Sequence, residues 1–388
     1  MTYARGVAVV GAAHSQLGEV PGSTALGLMA DAAVAAVADA GLRPSDIDGI
    51  IVRGPDDEYC FQQQLGERLG LNAAFTTSLD NGGASQTLAV VLASLAIEAG
   101  LATTVLCGYA RNAWTRTRQP GSRRARMNQA THNRKREWRD PFAYFGEPAT
   151  HALGAQRHMA LYGTTKEHLG HVAIAVREHA TRNPHAQMRA PLTMEEYLTG
   201  RPITDPFGVY DCSLRTDGAG AVVVTSVDRA KDLPHTPVVV RGFGSYNNLK
   251  GWTVDDHMVQ TAAKASGERA YRIADVSPKD IDTAQLYDCF TYMVLAQVED
   301  YGFCAKGEGG EFIASGALGL HGAIPTNTSG GQLSEGHVEG MLQVVEGVRQ
   351  LRHEYPVERQ VPDARLALVS GHGGNTVCHT TLILERGA

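Results

Sequence analysis

The sequence predicts an α/β protein made of two copies of one unit. Three observations carry that prediction. Short apolar runs ending in glycine alternate with longer amphipathic stretches. One helix-to-strand connection occurs twice, as Leu42-Arg43-Pro44-Ser45-Asp46-Ile47-Asp48 and as Val276-Ser277-Pro278-Lys279-Asp280-Ile281-Asp282. Strand, helix, loop and strand surround both copies, which is the mark of a duplicated unit. The halves are expected to be residues 1–235 and 236–388, with a basic insertion and a lid region at about 111–200 in the first.

Residues 6–12 read as a buried strand. Ser23 is the expected cap of an alanine-rich helix that runs to about residue 40 and is closed by Gly41. Residues 48–52 read as the next strand, 85–99 as a strongly apolar helix, and 102–107 and 221–225 as further strands. In the second half, 238–244 repeats the glycine-ended strand and a helix follows to about residue 274. Apolar runs of this kind suit a mostly parallel sheet covered on both faces.

Composition bounds the function. A chain of 388 residues with 43% apolar content buries a large core. A formal charge of -6 gives no pull toward nucleic acid or an anionic membrane. No window reaches the roughly 18 apolar residues of a membrane span, and the amino terminus lacks a signal-peptide layout. The six cysteines show no CxxC spacing, so they suggest neither a zinc site nor a disulfide framework. Reduced thiols in the cytoplasm fit them better. Residues 111–139 carry ten Lys or Arg and one acid, with Trp114 and Trp138 near the ends. They read either as a solvated insertion or as a patch for an anionic ligand such as the phosphates of coenzyme A. Residues 148–198 read as helices and a loop lying over the sheet as a lid.

Two turns carry the chemistry. Asn327 to His337 (NTSGGQLSEGH) brings backbone close to a ligand and presents one histidine. Asn81-Gly82-Gly83-Ala84-Ser85 opens the apolar helix and holds glycine where a nucleophile would be expected. Ser85 reads as the cap of that helix rather than as a substitute nucleophile, because no general base can be placed beside it. The free N–H groups of the helix start are expected to stabilise negative charge.

These turns, with the segments 183–191 (NPHAQMRAP), 211–219 (DCSLRTDGA) and Tyr287-Asp288-Cys289-Phe290, resemble the thiolase superfamily over nearly the whole chain, in order as well as in type. The sterol-carrier-protein thiolases are the branch they most resemble. The resemblance implies the thiolase fold, a layered α-β-α-β-α arrangement. In that family a cysteine at the start of the buried helix attacks an acyl thioester; its position here falls on Gly83. The family's His-Asp-Cys-Phe becomes Tyr287 to Phe290. The family's Gly-His-Pro-x-Gly becomes Gly336 to Gly340, with His337 as the histidine that helps bind the thioester oxygen.

A site without a nucleophile resembles that of the steroid side-chain aldolases, thiolase-like proteins that cleave a β-hydroxyacyl-CoA without an acyl-enzyme. On that likeness Tyr287 is the expected base and His337 the oxyanion donor, with the roles open to exchange. Tyr287 also reads as a buried tyrosine bonded to a carbonyl. Cys289 matches an acid/base cysteine but also reads as space-filling. His372 in Gly371-His372-Gly373-Gly374 is a second candidate or a surface-turn histidine. Gly83, Ser85, Asp288 and Gly373 are the expected substrate and oxyanion contacts. Gly83 is expected to free volume for a branched or polycyclic substrate. No metal and no bound cofactor are expected, coenzyme A entering as part of the substrate. The aldolases place a second tyrosine where this chain has His337, which leaves the substrate open. The resemblance further implies a homodimer and a small zinc-ribbon and OB-fold partner in trans. The alternatives are an acyltransferase using Cys289 and a non-catalytic acyl-CoA or lipid carrier.

Overall fold

The computed structural model describes residues 6–56, 58–118, 146–249, 259–374 and 377–387. Residues 119–139 of the basic segment, Trp138 among them, lie outside that set. The first half contains β1 (Val7–His14), α1 (Ala25–Asp39), β2 (Gly49–Arg53), α2 (Phe61–Leu69), β3 (Phe75–Thr77), α3 (Ser85–Glu98) and β4 (Thr104–Asn112). A helical excursion follows, α4 (Ala113–Arg118), α5 (Gly146–Tyr162), α6 (Lys166–Thr181) and α7 (Met194–Thr199), with the small strands β5 (Pro202–Thr204) and β6 (Phe207–Gly208). After it come β7 (Asp217–Ser226), the single turn Val227–Ala230, β8 (Val238–Asn247), α8 (Ala263–Ala274), β9 (Thr283–Gln285), α9 (Thr291–Asp300), α10 (Gly309–Ala314), α11 (Met341–Arg352), β10 (Leu366–Gly373) and β11 (Cys378–Arg386).

Nine strands form one sheet in the order β3-β2-β4-β7-β1-β8-β11-β10-β9. Reading outward from the β1/β8 seam gives β1-β7-β4-β2 on one side and β8-β11-β10-β9 on the other, the same path twice. The two helix-to-strand connections are alike in detail. Pro44–Asp46 and Pro278–Asp280 are both 3-10 turns that begin with proline. Asp48 accepts the amides of Thr103 and Thr104 at the foot of β4, and Asp282 accepts those of Arg365 and Leu366 at the foot of β10.

Sequence reasoning expected a mostly parallel sheet. The sheet is mixed: β2/β3, β2/β4 and β9/β10 are parallel, while β1/β7, β4/β7, β1/β8, β8/β11 and β10/β11 are antiparallel. Strands buried on both faces are uniformly apolar whichever way they run, so composition did not reveal their direction. Strand alternation then sorts the core into layers. Val7, Val9, Val222 and Val224 face a cluster that includes α3 and α11, while Ala8, Val10, Ala221 and Val223 face α1. A third cluster packs α8 and α9 of the second half together with α5 and α6 of the first. Thus α3 and α11 form a central helical layer touching strands of both halves. Thr24, not Ser23, caps α1, its hydroxyl accepting from the Gly27 amide at 3.0 Å. No helix among the described residues is long and apolar enough to cross a membrane.

The helices of 146–199 and the loop between α6 and α7 pack against the site. They buttress the histidine turn: Gln187 and Met188 amides donate to the Glu335 and Ser334 carbonyls, and Arg177 Nε donates to Ser334 Oγ at 2.9 Å.

Candidate active site

Tyr287, Asp288 and Cys289 sit between β9 and α9, His337 follows a π-helical turn at Gly331–Glu335, and His372 lies near the end of β10. The Tyr287 backbone is clamped, its amide donating to Ser370 Oγ (2.9 Å) and its carbonyl accepting from Gln297 Nε2 (2.8 Å). Ser370 in turn donates to Gln297 Oε1 at 2.6 Å. The phenol is thereby aimed at Gly83. A Cβ built on Gly83 falls well inside contact with Cζ, the hydroxyl and Cε2 of Tyr287. The volume vacated by the expected nucleophile is therefore occupied by the phenol; it is not open to substrate. Gly340, at φ +86°, completes the niche, since a Cβ there meets Tyr287 Cδ2 at 3.1 Å.

His337 stands across from this ring, with centroids 6.4 Å apart and planes nearly perpendicular. Its amide donates to Thr216 Oγ1 at 2.8 Å, and its Nδ1 lies 3.1 Å from Ser213 Oγ. Its Nε2 is shut from solvent and has no hydrogen-bond partner among the described residues. Burial holds the imidazole well below its usual pKa, the charge of Arg111 lowers it further, and a backbone hydrogen bond with Leu214 acts the other way. Burial thus favours the neutral imidazole.

Charges around Tyr287 come from residues that sequence reasoning did not single out. Arg53 pairs with Glu339 at 2.6 Å, and Arg111 lies 3.9 Å from the same carboxylate. Burial pushes the Tyr287 phenol well above its ordinary value, Glu339 raises it further, and Arg111 opposes them. Glu339 and Ser213 lay inside the quoted motifs but were assigned no role. Arg111, at the end of β4, was read only as the first residue of the basic segment 111–139, because its partner Glu339 is remote in the chain.

Several expected contacts have other duties. Asp288 is buried, and its carboxylate accepts from the Gln332 and Leu333 amides (2.9 and 3.2 Å) and from Gln343 Nε2 (2.9 Å). It anchors the histidine turn and has no oxygen left over for substrate among these contacts. Burial raises it to about 6 against those hydrogen bonds. Ser85 is neither nucleophile nor helix cap: it accepts from the Asn81 amide at 2.8 Å and so fastens the turn before α3. The Ala84 and Ser85 amides donate to the Asn81 and Gly82 carbonyls, so the helix start offers fewer free donors than expected. Gly373 lets β10 approach the turn, since a Cβ there would run into the Asn81 carbonyl. The close approach seen here is backbone to backbone.

His372 is buried on β10, not exposed in a turn. Its ring lies 5.4 Å from that of Tyr287. Its Nε2 is 3.3 Å from His151 Nε2, and its Nδ1 is 3.0 Å from His379 Nε2. Cys289 is buried beside them, and burial pushes its thiol well above the usual range, followed by the charges of Glu147 and Asp288.

Residues 247–386 match the family described as thiolase C-terminal domain-like. The chain is 34% identical over 357 residues to a steroid side-chain-cleaving aldolase of Thermomonospora curvata, covering 89% of this chain and 90% of that one. It is equally 34% identical over 360 residues to a 17-hydroxy-3-oxo-4-pregnene-20-carboxyl-CoA lyase of Mycobacterium tuberculosis, covering 89% and 91%. The solved structure of an Ltp2-ChsH2(DUF35) aldolase superposes with a TM-score of 0.90 at 32% identity, covering 100% and 99% of the two chains. With glycine at the nucleophile position, a phenol in its place and these relatives over nearly its full length, the chain belongs to the thiolase superfamily, in the branch of the steroid side-chain-cleaving aldolases.

Proposed function

We propose that the protein is a carbon–carbon lyase that cleaves a β-hydroxyacyl-CoA by a retro-aldol reaction into a ketone or aldehyde and a shorter acyl-CoA. The observation that carries this reading is the Tyr287 phenol seated in the niche over Gly83, facing a neutral His337. Such a pair moves protons and holds an oxyanion but forms no acyl-enzyme.

The electrostatics favour exchanging the two roles first expected. A buried phenol raised above its usual pKa keeps its proton and is the better oxyanion donor. The imidazole is already in its base form. With the proton on Nδ1, which lies 3.1 Å from Ser213 Oγ, Nε2 presents a bare lone pair. His337 then takes the β-hydroxyl proton as the Cα–Cβ bond breaks. The electron pair moves onto the thioester oxygen, held by the Tyr287 hydroxyl. The proton on His337 returns to Cα, and the balance closes. Arg111 counters Glu339 so that the phenol is not made too weak a donor.

The names of the relatives support a steroid or otherwise branched side chain as the substrate class. A partner protein in trans is supported by the two-component name of the structural match. A homodimer is supported by β3, which forms one edge of the sheet. We place the enzyme in the cytoplasm. The acyltransferase alternative requires a thiolate at Cys289, and burial works against it.

The test is turnover of branched β-hydroxyacyl-CoAs, with and without the candidate partner, by the native chain and by Tyr287→Phe and His337→Gln. Losses in kcat of about 100- to 1000-fold are expected for each. Unchanged turnover in both variants, or acyl labelling of the intact protein, defeats the reading.

A further inference from the structure

We propose that His151, Cys289 and His372 form a binding site for a zinc-type divalent cation. The three come from α5, the loop before α9, and β10, so their grouping exists only in the fold. One donor atom from each lies within 4.8 Å of the other two. The Nε2 atoms of His151 and His372 are 3.3 Å apart. Two Zn–N bonds of about 2.0–2.1 Å at a tetrahedral angle place their nitrogens about 3.4 Å apart, so the histidines already stand at the edge of a zinc tetrahedron. A separation of 3.3 Å is, by contrast, long for an N–H···N hydrogen bond.

The remaining nitrogen of each histidine is held from behind. His151 Nδ1 lies 2.9 Å from the Glu147 carbonyl, and His372 Nδ1 lies 3.0 Å from His379 Nε2. Outer partners of this kind fix the ring orientation of metal-binding histidines. Phe290 lies against His151 with centroids 4.6 Å apart, which restrains that ring further. Two imidazoles and a thiol are a borderline-soft set that selects zinc over magnesium or calcium. Three protein ligands leave one vertex of the tetrahedron for an oxygen ligand, the arrangement of catalytic rather than structural zinc.

The site adjoins Tyr287 through His372. A cation there strengthens the phenol as a donor to an enolate oxygen. That role rests on the lyase reading, whereas the site itself rests only on its donors. A second cluster, Asp39, His235 and Glu354, is a poorer candidate because Arg352 already pairs with both of its carboxylates at 2.8 and 3.3 Å.

The experiment is a cobalt(II) titration of the untagged chain after chelator treatment, followed by absorption. One equivalent is expected to give the visible bands of a tetrahedral ion and a near-ultraviolet thiolate charge-transfer band. Cys289→Ser is expected to lose the charge-transfer band with unchanged circular dichroism. His379→Gln, which touches no metal, is expected to weaken cobalt affinity about 10- to 100-fold. His235→Ala is expected to change nothing. The proposal is overturned by the absence of a stoichiometric tetrahedral spectrum, by a charge-transfer band that survives Cys289→Ser, or by binding lost in His235→Ala. Because none of these signals reads turnover, failure of the cation site and failure of the lyase reading are separately visible.

Discussion

The phenol of Tyr287 occupies the place of a side chain at residue 83: a Cβ added to Gly83 collides with its Cζ, hydroxyl and Cε2. The two positions are therefore coupled, and each residue type requires the other. Gly83→Cys, which would restore a thiol at the expected nucleophile position, should destabilise the chain by about 1–3 kcal/mol through overpacking. Tyr287→Phe should not relieve the clash, because Cζ and Cε2 remain. Tyr287→Ala should relieve it. A double-mutant cycle on thermal or urea unfolding checks this: an additive Gly83→Cys/Tyr287→Ala pair would show that the phenol does not fill the niche.

Arg111 acts on both members of the proposed pair, lowering the imidazole of His337 and opposing the rise at Tyr287. In Arg111→Gln the imidazole loses a repelling cation, so its protonated form is favoured and its pKa rises. With His337 as base, the acid limb of kcat/KM should move to higher pH relative to the native enzyme. The alkaline side should not move inward, since loss of the cation raises the phenol too. A pH–rate profile of the two proteins measures this, and an acid limb that stays in place would take the base role away from His337.

Asp288 positions His337 without facing it. Its carboxylate holds the Gln332 and Leu333 amides at the front of the π-turn and Gln343 at the start of α11. An amide cannot accept on both sides, so Asp288→Asn leaves a buried donor unpaired, at about 1–3 kcal/mol. The turn should shift, and misplacement of His337 by about an ångström should cost on the order of 100-fold in kcat. Because Asp288 touches no substrate in this reading, KM should change far less than kcat. A dominant rise in KM would instead return Asp288 to the substrate contacts.

Much of the fold was legible because local chemistry repeats. Pro44-Ser45-Asp46 and Pro278-Lys279-Asp280 are short-range signals, and the aspartates two residues beyond them, Asp48 and Asp282, make the same bonds to neighbouring strands. Strand direction was not legible, since a strand buried on both faces is apolar in either sense. At the site, Gly83 and Tyr287 were visible as departures from a motif. Their mutual contact was not, because it depends on the turn before α3 meeting the loop after β9, about two hundred positions away. Arg111, His151 and His379 were invisible for the same reason: each gains its meaning from partners more than a hundred positions away or, for His379, from strand pairing with His372. Gly373 and Asp288 misled because residues that fasten one backbone turn to another have the same type as residues that hold a ligand.

Glu335 links the histidine turn to the 183–191 segment, its carboxyl accepting from Asn183 Nδ2 at 3.0 Å and bonded to Ser329 Oγ at 2.6 Å. Burial, and then the charge of Glu346, raise it from 4.5 to about 8. A carboxyl raised in the folded state binds its proton more tightly there than in the unfolded chain. Its contribution to stability is thus fully present below about pH 4.5 and is lost as pH rises through about 8. Glu335→Gln keeps the shape and has no proton to lose. The variant should therefore gain stability relative to the native chain as pH rises from 5 to 8, as only the native chain must hold in the folded state a proton that its unfolded state releases. Urea unfolding of both proteins across that interval measures the difference directly. A constant difference between them would mean that Glu335 is ionised in the folded protein throughout, with Arg359 holding its charge.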